Sequence, residues 1–453
     1  MTRKLLRIAL PVLCMALAQC TASTTTSSGP PTAFATLRLN ATTGVGDSTF
    51  GPNKTIVVSS IDPTLNDFAL AVAIQSTDNK LVVAGSNGLA GQGQIALIRY
   101  NADGSLDTTT FGTTGTGGIV RTTLGSPALA SAVAVQANGK IVVAALIFTP
   151  ATSVTSMAVL RYNTDGTLDT SFNTNGISAP TAIGSGLAGD VCAMLLQSAT
   201  GNIVVAGATQ DGKLVLARYT SAGAPDTTFG TSGTTVTPLA PPATSPTHTS
   251  PSMAAQSDGR IIVVTRSGDD QAVLRYSVDG VQDTGFGGGA NNGVVITDIG
   301  GSVNYADAVA IQDASGAPSN TDNIIVAGHT DLTANASDIS LVRYSKDGAL
   351  DKTFNTTGIV TTDIFGQFDN AIGVLMQDQA GAEPKILVSG NTGFGSATQT
   401  FVFRYNSDGS GDVTFGSRAT GLVLVPNVGP STVASGNAMA IQNGGGIIVT
   451  GYD

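Results

Sequence analysis

Apolar residues in this chain fall in short runs separated by Gly, Asn, Asp, Ser and Thr, and the runs return in the same order over and over. One cycle shows the pattern. Residues 68–75 (FALAVAIQ), 80–85 (KLVVAG), 95–101 (IALIRYN) and 118–122 (GIVRT) read as four short strands, with turns between them. The second run is continuously apolar, as it is again at 141–144, 203–206, 324–327 and 447–449. Continuous rather than alternating hydrophobicity predicts a strand covered on both faces. Four short antiparallel strands per period make one blade, and blades stacked face to face supply that cover. The first strand ends in Gln in every copy (Gln75, Gln136, Gln197, Gln256, Gln312, Gln377, Gln442), with a small residue four positions earlier (Ala71, Ala132, Ala193, Ser252, Ala308, Gly373, Ala438). Small side chains let innermost strands crowd round an axis, as a closed ring requires and an open solenoid does not.

The third strand carries the strongest signal. Each copy has an arginine at its end, Arg38, Arg99, Arg161, Arg218, Arg275, Arg343 and Arg404, spaced 57 to 68 residues apart. A turn follows whose glycine never fails, although the aspartate before it does at Thr43-Gly44 and Ala222-Gly223. Glycine accepts the positive φ of a tight turn, so backbone geometry is the requirement there. A second aspartate recurs eight residues after the arginine in six copies and nine in the first: Asp47, Asp107, Asp169, Asp226, Asp283, Asp351 and Asp412. An arginine in a buried strand needs a counter-charge, so these residues are expected to form an ion pair clamping each turn; a ligand or calcium site is the alternative. A phenylalanine follows each time (Phe50, Phe111, Phe172, Phe229, Phe286, Phe354, Phe415) and reads as a core anchor.

Where the period is cut predicts how the ring closes. The chain enters on the third and fourth strands of a blade, 35–40 and 55–59, and leaves on the first and second, 438–442 and 447–451. Joined, the two halves make a seventh blade. The expected fold is an all-β, seven-bladed β-propeller of 28 strands occupying residues 34–453. The alternation of RYNxDGxLDxxFG with AVAIQxxDxKLVVAG resembles the bacterial delta-60 repeat, a β-propeller repeat, from about Ala35 to the end. The resemblance implies fold and little about activity, since propellers include enzymes, binding platforms and structural modules.

Residues 1–19 read as an export signal, with a basic head of Arg3, Lys4 and Arg7 and an apolar stretch at 8–18 too short to span a bilayer. Leu17-Ala18-Gln19-Cys20 resembles the lipoprotein motif in which the cysteine is acylated, although Gln19 stands where a small residue is expected; Ala16-Leu17-Ala18 would serve an ordinary signal peptidase. Thr21 after Cys20 implies the outer membrane if the cysteine is lipidated. Residues 20–33 are rich in Thr, Ser and Pro and read as a flexible linker. Loss of the leader leaves 18 basic against 31 acidic residues, a net charge of −13, which makes nucleic acid and anionic membrane poor partners. The membrane is then reached only through an N-terminal lipid.

Candidate chemistry is sparse. Cys192 sits among apolar neighbours and reads as an inert core thiol. The two histidines, His248 and His329, stand in no metal-ligand spacing and read as solvent-facing or incidental. No cofactor is expected. Asp67, Asp190, Asp307 and Asp369 open innermost strands and could project into the central channel, where a carboxylate ring could hold a cation. Two function classes stay open: a non-enzymatic envelope propeller that binds a protein or glycan partner, and a hydrolase or lyase with acidic residues at the channel mouth. Convergence of several titratable groups would favour the enzyme.

Overall fold

A computed structural model describes residues 32–51, 56–88, 93–112, 117–185, 192–209, 212–241, 250–301, 303–312, 321–333, 336–379, 382–393, 398–416, 420–425 and 435–452. Cys20, Asp190 and His248 lie outside them.

Alternate residues of each second strand feed different cores. In blade two, Ile141, Val143 and Ala145 pack against Val82 and Ala84 of blade one, while Val142, Ala144 and Leu146 pack against Ile203 and Val205 of blade three. Seven such apolar cores lie between neighbouring blades. This is the reason the second strand is apolar throughout.

Seven antiparallel sheets result. Blade one is typical, with Asp67–Ile74 innermost, then Leu81–Asn87, Gln94–Tyr100 and Ile119–Thr122. Blade seven joins Phe34–Leu39 and Ile56–Ser59 to Ser435–Ile441 and Ile447–Tyr452. Its central pairing runs from Phe34 opposite Tyr452 to Leu39 opposite Ile447. Each innermost strand packs on the next, and Ser435–Ile441 packs on Asp67–Ile74, so the ring is closed. Among the described residues the count is 29 strands rather than 28, because the innermost strand of blade five is broken into Val303–Asn304 and Ala308–Gln312.

The arginines join blade to blade. Each lies 2.6 to 2.9 Å from its aspartate and 4.3 to 4.9 Å from the centre of its phenylalanine ring. Each Nη1 then donates to a main-chain carbonyl in the turn of the following blade, as Arg161 does to Ser221 and Arg343 to Ser407, both at 2.6 Å. The recurring Gln accepts from the same Nη1 in several blades, as Gln377 does from Arg404 at 3.1 Å. The turn glycine has a second reason to be invariant. Gly280 has φ +77°, and a Cβ there would also stand 2.4 Å from the Phe229 ring of the preceding blade. The phenylalanine is thus a core anchor, and the core it anchors lies between two blades.

These aspartates set an acid limit on stability. Burial is the largest influence on Asp107, Asp169, Asp226, Asp283, Asp351 and Asp412 and acts to raise their pKa. Local hydrogen bonds and the basic partner outweigh it, so all six sit low, Asp412 at about 2. A folded pKa below the unfolded value of about 3.9 gives stability that is complete above that pH and lost as pH falls through the folded pKa. Thermal melts should therefore show a steep loss of Tm between about pH 4 and pH 2 that Asp412→Asn makes shallower; a Tm insensitive to acid over that range would contradict it.

Candidate functional site

The seven arginine clusters occupy one end of the ring, and their donors are spent on the fold. Arg99 illustrates this: Nε donates to Asp107, Nη1 to Gln75 and the Thr164 carbonyl, and Nη2 to Thr110. The opposite end carries the hairpins between second and third strands and the crossings from one blade to the next.

At that opposite end the described acidic candidates, Asp67, Asp307 and Asp369, do not form a channel ring. Asp67 and Asp369 are fully buried, because each turns its carboxylate to the crossing that precedes it. Asp67 Oδ2 accepts from the Ile61 amide at 2.7 Å and Oδ1 from Asn87 Nδ2 at 2.6 Å. Asp369 Oδ2 accepts from the Ile364 amide at 2.5 Å. Burial raises the pKa of both, and for Asp369 the charges of Asp363 and Asp338 add to it, pushing it to about 7. Asp307 is not their equivalent. Asp67 faces Asn87 and Asp369 faces Thr392 across the sheet, and the residue of blade five in that register is Asn304, opposite Thr330. Asp307 belongs to the irregular segment that breaks the innermost strand.

That break gathers side chains the sequence left apart. His329, far from being solvent-facing, is 7% exposed. Its Nδ1 lies 2.9 Å from Asp307 Oδ2, and its ring stacks on Tyr305 with centroids 4.0 Å apart and planes at 11°. An ionised carboxylate can only accept, so the Nδ1 that faces it carries a proton, and the matching tautomer presents Nε2 as the acceptor. Arg266 from blade four also lies over the Tyr305 ring, its Cζ 4.9 Å from the centroid. It is 3% exposed, and Nε, Nη1 and Nη2 find no hydrogen-bond acceptor among the described residues. Burial together with the charge of Asp331 pushes the Tyr305 hydroxyl up to about 12, and burial raises Asp331 itself. Arg, Tyr, His and two Asp thus converge where the apolar core between blades four and five ends.

The signal that would have found them is disagreement between copies. In the register of the second strand, Ser86, Leu146, Ala208, Arg266, His329, Asn391 and Tyr452 occupy one position. Arg266 and His329 are successive blades' answers at a place where the fold demands no fixed residue. Cys192 is a buried core thiol that touches Ser131 Oγ, and burial pushes it up to about 11.

A family profile described as "Domain of unknown function (DUF5122) beta-propeller" matches residues 77–109, 136–172, 199–229, 256–286, 321–354 and 385–415, one segment in each of six blades. No curated protein matches the sequence. Solved structures that superpose on the chain include an ulvan lyase of a polysaccharide lyase family, at 10% identity and TM-score 0.44 over 81% of this chain and 84% of the other. An α-L-arabinofuranosidase of Fusarium graminearum is 11% identical with TM-score 0.39 over 93% and 98%. The lectin SapL1, in complex with α-methyl fucoside, is 13% identical with TM-score 0.38 over 80% and 96%. The six profile matches and the seven antiparallel sheets, six of four strands and one of five, mark this chain as a β-propeller built from repeats.

Proposed function

We propose that the protein is an exported propeller of delta-60 repeats, anchored at the outer membrane through Cys20, that binds a glycan or protein partner at the end of the ring opposite its arginine clusters, over blades four to six. The observation that carries this reading is the contrast between the two ends. One end repeats the same Arg–Asp pair and Arg–Phe contact in every blade, whereas at the other end Arg266, Tyr305, Asp307, His329 and Asp331 meet at one blade interface. Aromatic faces with hydrogen-bonding and charged groups suit a polar ligand.

The test is capture from a bacterial envelope fraction and binding to a glycan panel, comparing wild type with His329→Ala and Asp307→Asn. Binding should fall at least about tenfold, some 1.4 kcal/mol, in either variant; full retention in both would move the site elsewhere. Anchoring has its own readout. Cys20→Ala should lose a fatty-acid label and shift the protein from the membrane to the soluble envelope fraction, and unchanged labelling would remove the lipid from the proposal.

The His329–Asp307 contact favours a second reading, a hydrolase or lyase. A histidine oriented by a carboxylate, with Nε2 available as base, is a general-base arrangement. Release of reducing ends or unsaturated sugars from an envelope or matrix polysaccharide, abolished in His329→Ala, would establish it over simple binding.

A further inference from the structure

Three carboxylates, Asp338, Asp363 and Asp369, each offer an oxygen so placed that all three atoms lie within 4.8 Å of one another. Asp338 stands on the third strand of blade five, Asp363 on the crossing to blade six, and Asp369 opens the innermost strand of blade six. None of the three takes part in an ion pair among the described residues. Asp369 is fully buried, and its Oδ1 has no hydrogen-bond partner among the described residues. An orphaned carboxylate oxygen in the interior beside two further carboxylates is costly unless a proton or a metal cation joins it.

The ring contains two internal controls, because the same corner is built in other blades. Between blades four and five the equivalent residues are Asp270, Asp298 and Asn304. There the Asn304 amide lies between the two carboxylates, with Nδ2 2.9 Å from Asp270 Oδ1 and 3.4 Å from Asp298 Oδ1. Thr330 Oγ1 donates to its other end at 2.8 Å. Between blades seven and one, Asp67 takes the buried position, but Ala33 stands where Asp338 would be, Asn87 satisfies Oδ1, and Asp62 has Arg121 at 3.7 Å. In one corner an amide bridges two carboxylates, and in the other an arginine and an asparagine attend them. The corner between blades five and six has neither: it replaces the bridging amide with a third carboxylate.

We propose that Asp338, Asp363 and Asp369 bind a divalent cation with the chemistry of calcium, which takes the place that the Asn304 amide fills one blade earlier. An all-oxygen, all-carboxylate donor set selects a hard cation over zinc or copper. A span of up to 4.8 Å is about twice the calcium–oxygen distance of roughly 2.4 Å, so one ion reaches all three; magnesium, at about 2.1 Å, is the poorer fit. Water and main-chain oxygens complete the shell.

The test uses the full mature chain, stripped with EDTA and titrated with calcium chloride by calorimetry and with terbium by luminescence. Wild type should take up one ion at this site, and calcium should raise its Tm by several degrees. Asp369→Asn copies the Asn304 corner, so it should fold, lose this ion and its terbium signal, and show a Tm indifferent to EDTA. Asn304→Asp should create a second site of the same kind and raise the stoichiometry by one. Wild type that binds neither ion, or Asp369→Asn that binds as wild type does, overturns the proposal.

Discussion

Removal of residues 436–453 should unfold the ring or leave it associated with other copies. The deletion takes away Ile447–Tyr452 and nearly all of Ser435–Ile441, which are half of blade seven. Phe34–Leu39 then loses its partner along its whole length and becomes an open edge. The damage continues into the neighbouring blade, because Leu39, Ile56, Leu387, Val402 and Phe415 share one buried cluster with Met439, Ile447 and Val449. Burying a large aliphatic side chain is worth about 1.5–3 kcal/mol, so Ile447, Ile448 and Val449 alone supply roughly 5–9 kcal/mol. Net stabilities of folded domains are about 5–15 kcal/mol, so the loss is comparable to the whole. Size-exclusion chromatography with thermal melts decides it. Trimming residues 21–31 should change neither reading, and a truncated monomer with an unchanged Tm would show that the termini do not hold the ring.

The closure was legible because it depends only on where a strong period is cut. Strand type, order and pairing followed from short apolar runs, invariant turn glycines and the arginine that marks each third strand. Within blade one the boundaries fall within two residues of those expected, as Leu81–Asn87 does against 80–85. What periodicity missed has a physical cause. Counting back eight residues from the fixed Gln gives Asp67, Asn304 and Asp369, whereas Asp307 stands only five before Gln312. Asp307 reads as their equivalent only because it is the aspartate that borders the apolar run of blade five. The projection into the central channel expected of Asp67 and Asp369 fails for a different reason. The amides of Ile61 and Ile364 sit on crossings that show no pattern of their own, yet they draw these carboxylates inward. Arg266 and His329 were missed because a search for what repeats passes over what does not.

The clearest measure of the blade-to-blade contacts is Arg404→Leu, expected to destabilise by about 3–5 kcal/mol. Arg404 and Asp412 form one of the two most enclosed pairs of the series, with side chains 5% and 3% exposed and Nε 2.8 Å from Oδ2. Leucine would leave Asp412 charged and buried with only Lys385, at 3.4 Å, in place of the arginine. It would also cut two bonds that cross the closure, from Nη1 to the Ala41 carbonyl at 2.6 Å and from Nη2 to Thr42 at 3.0 Å. Arg38→Leu serves as the comparison. Its pair is 15% and 28% exposed, water replaces part of what is lost, and the effect should approach the ~1 kcal/mol of a surface pair. A double-mutant cycle with Asp412→Asn separates the ion pair from the inter-blade bonds. A coupling of about 2 kcal/mol or more assigns the loss chiefly to the pair, whereas a coupling near zero would assign it to the carbonyls of Ala41 and Thr42. The ligand alternative for these aspartates makes a different forecast, calcium binding that disappears in Asp412→Asn with little change in Tm. Asp412 Oδ1 already accepts from the amide and hydroxyl of Thr414 at 3.0 and 2.7 Å, and Oδ2 faces Arg404 and Lys385. With both oxygens engaged, Asp412→Asn should lower Tm whether calcium is present or chelated.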